Sequence, residues 1–89
     1  MKKKFSWSLD LEDEEYAGDV NSLLEAAKLA VESTSPGYYV NLVTPASLGR
    51  PDFLIEELGR EYGRKIKAEY VDQCGCGGYV TRVTVIEDI

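Results

Sequence analysis

Two cysteines stand two positions apart in a run of glycine, Cys74-Gly75-Cys76-Gly77-Gly78. They are the only cysteines of the chain, and the run holds three of its eight glycines. A thiolate is a nucleophile and a soft metal ligand. Gly75, Gly77 and Gly78 can take a positive φ at no steric cost and leave both sulfurs uncovered. No histidine occurs anywhere. That removes the commonest general base, the Ser-His and Cys-His nucleophile pairs and most zinc sites. The chemistry open to this stretch is that of its own sulfurs and glycines, with Asp72, Gln73 and Arg82 as the neighbours that support it.

The residues alone leave several readings open. In the plainest, Cys74 and Cys76 are incidental small residues in a glycine-rich hairpin. A stabilising disulfide is excluded, because bridging positions so close together closes almost no loop. A redox pair is a second reading. A Cys-x-Cys bridge is strained and therefore easily reduced. Against it, Asp72 disfavours a nearby thiolate, and only Arg82, reaching across the hairpin, would favour one. In a third reading Cys74 and Cys76 supply two of the four ligands of a zinc ion or iron–sulfur cluster, and a second copy supplies the others.

Composition narrows the partners. Sixteen acidic against ten basic residues give a net charge of -6. Such a surface repels the phosphates of nucleic acid and of anionic lipid, so neither is an expected partner. No apolar run approaches the ~20 residues that span a bilayer. Met1-Lys2-Lys3-Lys4 is followed by Phe5-Ser6-Trp7-Ser8, with no apolar signal core, so the expected address is the cytoplasm, where thiols stay reduced. Hydrophobic residues make up 44% and charged residues 29% of the 89 positions. That describes one globular domain over 1–89, with no room for a second core.

The elements that must hold the loop follow from periodicity. Lys4 to Leu11 alternates as a half-buried strand, with Phe5, Trp7, Leu9 and Leu11 inward. Glu12-Asp13-Glu14-Glu15 reads as a solvated loop that protects the sheet edge, with a metal-binding loop as the alternative. Asp19 is a natural N-cap for a helix from Val20 to Ser33, stopped by Ser35-Pro36-Gly37. Tyr38 to Thr44 is a central strand and Pro45 to Arg50 a loop. Pro51 suits a first helical position ahead of the stripe Leu54, Ile55, Leu58 and Tyr62. Gly63 ends that helix, while Arg60, Arg64 and Lys65 complement its dipole. Strands follow at Ile66 to Asp72 and Tyr79 to Ile86, where Thr81 interrupts the apolar face. The order is βαβαββ. It predicts an α/β (α+β) two-layer sandwich: a mixed four-stranded sheet, two helices on one face, and the glycine-rich run as the β3–β4 hairpin tip. The other face is expected to be open around Tyr39, Val71 and Ile86, which leaves room there for a homodimer or another partner.

Tyr70-Val71-Asp72-Gln73-Cys74-Gly75-Cys76-Gly77-Gly78-Tyr79-Val80-Thr81-Arg82-Val83 resembles the signature of the CGCGG family of radical-SAM-modified peptides, small proteins found largely in archaea. Trp7-Ser8-Leu9 and Pro36 to Thr44 resemble the same family. The resemblance implies a non-enzymatic, ribosomally made precursor whose Cys74–Gly78 segment is altered by a partner radical-SAM maturase. The folded region before the loop would then act as a leader, or the loop would carry a cofactor once modified. The strand–helix order is also similar to that of sulfur-transfer proteins whose Cys-Pro-x-Pro motif opens the first helix. Here the matching Ala17-Gly18-Asp19-Val20 has neither cysteine nor proline.

Overall fold

The computed structural model describes residues 2–73 and 77–89. Its elements are β1 (Trp7–Asp10), α1 (Glu14–Gly18), α2 (Val20–Glu32), β2 (Tyr39–Thr44), α3 (Asp52–Tyr62), β3 (Ile66–Gln73) and β4 (Tyr79–Val85). The strands form one mixed sheet in the order β1-β2-β4-β3. β1 lies parallel to β2, and β4 runs antiparallel to both β2 and β3. The two-layer architecture expected from the sequence is therefore the observed one. The order within the sheet is new information: β4 inserts between β2 and β3 instead of extending the edge.

Alternation decides which face of the sheet is covered. Val40, Leu42 and Thr44 of β2 are buried, and so are Thr81, Val83 and Val85 of β4. Val40, Leu42, Val83 and Val85 join Leu23, Ala27, Ala30 and Val31 of α2 and Leu54, Leu58 and Tyr62 of α3 in one core. Direct contacts fix the two helices side by side on that face. Lys28 Nζ lies 2.9 Å from Glu57 Oε2, and the Tyr62 hydroxyl donates to Glu32 Oε2 at 2.6 Å. Burial first, and then the Glu32 carboxylate, push the Tyr62 phenol up, so it remains a hydrogen-bond donor.

Three local expectations are revised. The first strand begins at Trp7, not Lys4. Lys3 instead bridges to Thr34 beyond the end of α2, which leaves Phe5 exposed. The acidic run is not a loop throughout: Glu14 opens α1, whose Tyr16 packs on the core. Tyr39 is half-buried, whereas Val71 and Ile86 are exposed as expected.

Asp19 caps α2. Its Oδ1 accepts from the Ser22 amide at 3.2 Å and its Oδ2 from the Ser22 hydroxyl at 2.9 Å. The hydroxyl bond and then the amide bond hold the carboxyl below its ordinary value. A depressed folded-state pKa adds stability above the unfolded value and loses it as pH falls through the folded one. Asp19→Ala is thus expected to lower the urea midpoint at neutral pH. The gap between variant and parent should close in acid below the ordinary aspartate range.

Thr81, which broke the apolar pattern in the sequence, is fully buried in β4. Its hydroxyl has no hydrogen-bond partner among the described residues. A buried hydroxyl without a partner costs about 1–3 kcal/mol of desolvation. Thr81→Val keeps the shape and removes that cost, so a rise in the urea midpoint at unchanged slope is the expected result.

Candidate functional site

β1, β2 and β3 run in one direction, and β4 returns between the last two. Their carboxyl ends therefore gather at one end of the sheet. The connection from β3 to β4, residues 74–78, leaves and re-enters the sheet at that same end. Gln73 and Tyr79 are partners in the antiparallel register, so the connection is as short as the sequence predicted. Cys74, Gly75 and Cys76 lie outside the described residues. The modification, redox and metal expectations for the two thiols fall on those positions.

The described residues at the base of the connection are closely tied. The Asp72 carboxylate accepts from the Gln73 amide at 2.8 Å. The Gln73 side chain donates from Nε2 to the Gly77 carbonyl, also at 2.8 Å. Asp72 and Gln73, read from the sequence as supporting residues, thus stand at the root of the loop. Gly77 adopts φ +104°, a conformation that favours glycine.

Gly78 serves a different purpose. It is buried, and a Cβ built on it would run into the Glu12 carboxylate and lie 2.9 Å from the Thr44 carbonyl oxygen. Thr44 is the last residue of β2, held in register opposite Tyr79. Its hydroxyl also reaches the Tyr79 carbonyl at 3.3 Å. Glu12 follows β1, and its amide donates to Asp10 Oδ1 at 2.9 Å, which turns the chain where the strand ends. Gly78 is therefore glycine for space, because the carboxyl ends of β1 and β2 both press on it. On the helix side of the same end, the Tyr70 and Tyr79 rings lie 5.9 Å apart, and the Arg50 guanidinium covers Tyr70 at 4.8 Å.

Arg82 belongs to another neighbourhood. Its Nε donates to Asn41 Oδ1 at 3.0 Å, and its guanidinium lies 4.1 Å over the Tyr39 ring. All three sit on the sheet face away from the helices. Glu12 was read from the sequence only as part of the acidic run, and Thr44, Arg50 and Tyr79 only as strand and loop residues. The βαβ order did contain a coarse signal. It sends the chain after β1 and the hairpin after β3 to the same end of a sheet with parallel strands.

No three or more acidic, cysteine or histidine residues among the described residues form a group able to hold a metal ion. Among the described residues, no helix is long and apolar enough to cross a membrane. No curated protein and no solved structure matches the chain. The model of one family, described as "Putative radical SAM target protein", matches residues 1–86, nearly the whole length, and the chain belongs to that family.

Proposed function

We propose that this protein is a substrate, not an enzyme, and that a radical-SAM enzyme alters its Cys74–Gly78 segment. The observation that carries the reading is the family match over residues 1–86, whose description names a target. The loop base supports it: the paired ends of β3 and β4 hold the short connection at Gln73 and Tyr79. In this reading residues 1–89 act as one unit, and the sheet is the handle by which the enzyme grips its substrate. The enzyme brings the radical chemistry, and the chain brings the two thiols and the glycines of the connection. Reduced thiols at Cys74 and Cys76 suit a cytoplasmic encounter.

Co-expression with a radical-SAM enzyme of the same organism, followed by intact mass and fragmentation, tests the proposal. A mass change confined to Cys74–Gly78 is expected, and it should vanish in the Cys74→Ser/Cys76→Ser double variant. Protein that keeps its unmodified mass in the presence of active enzyme would sink the reading.

A further inference from the structure

The glycine-rich pentapeptide is not uniform in its surroundings. At Gly77 a Cβ would meet nothing within 4 Å. At Gly78 the same atom would strike the Glu12 carboxylate and the Thr44 carbonyl oxygen. Gly77 is half-exposed and Gly78 buried. The two glycines are neighbours in sequence, yet one opens to solvent and the other is wedged into the sheet.

We infer that Gly78 is the anchor of the loop and escapes modification, that the chemistry is confined to Cys74–Gly77, and that Glu12 is the positioning residue that seats the anchor. This rests on the substrate reading above. A radical enzyme begins by moving one hydrogen atom from a carbon of its substrate to its own carbon radical. The substrate C–H bond breaks, a C–H bond forms on the enzyme's side, and the unpaired electron stays on the substrate. That transfer requires the two carbons to come into contact. The α-carbon of Gly78 lies against Glu12 and Thr44, beside the β2–β4 ladder at Thr44 and Tyr79. Reaching it would require peeling the end of β4 from the sheet. The Gly77 α-carbon needs no such opening. Glu12 acts through the seat of Gly78. Its carboxylate closes the side of the seat that the Thr44 carbonyl leaves open, and so sets where the loop emerges.

Fragmentation of the matured protein across the Gly77–Gly78 bond tests the anchor. Fragments that begin at Gly78 should carry the unmodified mass, with the whole change on the amino-terminal side. A shifted mass on Gly78 itself would overturn the inference while leaving the substrate reading intact. No shift anywhere would overturn the substrate reading, and this inference with it. The role of Glu12 has its own test, because the residue lies outside the core. Glu12→Ala should keep the parent's thermal transition yet lower the converted fraction several-fold in a fixed time. Glu12→Gln, which keeps a planar group of the same length against Gly78, should restore most of it. Equal conversion of the alanine variant and the parent would remove Glu12 from the positioning role.

Discussion

Gly78→Ala is expected to destabilise the protein and to cut conversion by a radical-SAM enzyme sharply. The new methyl group would overlap the Glu12 carboxylate and sit 2.9 Å from the Thr44 carbonyl oxygen. The two obstacles differ in how far they can yield. Glu12 is a flexible side chain and can swing aside. The Thr44 carbonyl belongs to a strand paired on both sides and cannot retreat without disturbing the ladder. Overpacking against a fixed group costs typically about 1–3 kcal/mol. Gly77→Ala should also destabilise, but for a different reason: space is free there, and the strain lies in the φ of +104°. A double-mutant cycle separates the causes. Glu12→Ala should recover part of the loss in Gly78→Ala and none of that in Gly77→Ala. If urea unfolding gave the same coupling for both glycines, the seat at Gly78 would be refuted.

Leu42→Ala should be the most damaging single truncation for the fold. Leu42 is fully buried in β2, in register with Leu9 on one side and Thr81 on the other. It therefore sits in the interior of the four-stranded sheet, within the core that residues of α2 and α3 also line. Removing a buried leucine side chain costs about 2–5 kcal/mol through lost burial and the cavity left behind. A chain of this length has a total stability of roughly 5–13 kcal/mol. The variant thus loses a large share of its margin, and at about 4–8 °C per kcal/mol its Tm should fall by about 10 °C or more. A thermal melt followed by circular dichroism checks this. An unchanged transition would mean that Leu42 is not at the centre of the core.

Much of the fold could be read without coordinates, because each element carries its own local cause. The stripe Val20, Leu23, Leu24, Ala27, Ala30 and Val31 has helical period, and Asp19 caps it as expected. Tyr38 to Thr44, nearly all apolar and rich in β-branched and aromatic residues, reads as a central strand, and Tyr39–Thr44 is β2. The errors came where local pattern competed with distant pairing. Phe5 continues the alternation of β1 in sequence, yet Lys3 pairs beside α2 and leaves Phe5 exposed. Four consecutive acids look like solvated loop, but Tyr16 and the core that receives it turn Glu14–Gly18 into helix. Tertiary pairing also decides what Arg82 meets, since the register of β2 and β4 brings Tyr39 and Asn41 to it on the open face.

The glycine-rich loop divides along the same line. Its composition, its two thiols, its place between two strands and its family likeness are properties of consecutive residues, and the sequence by itself determined them. The setting of the loop was decided by tertiary structure. Only strand order places β4 between β2 and β3, and only that insertion brings Gly78 under Thr44 and against Glu12, a residue more than sixty positions away. Hydrogen bonds between strands follow no local period, so the pentapeptide could not reveal that its last glycine is held in the sheet while the one before it opens to solvent.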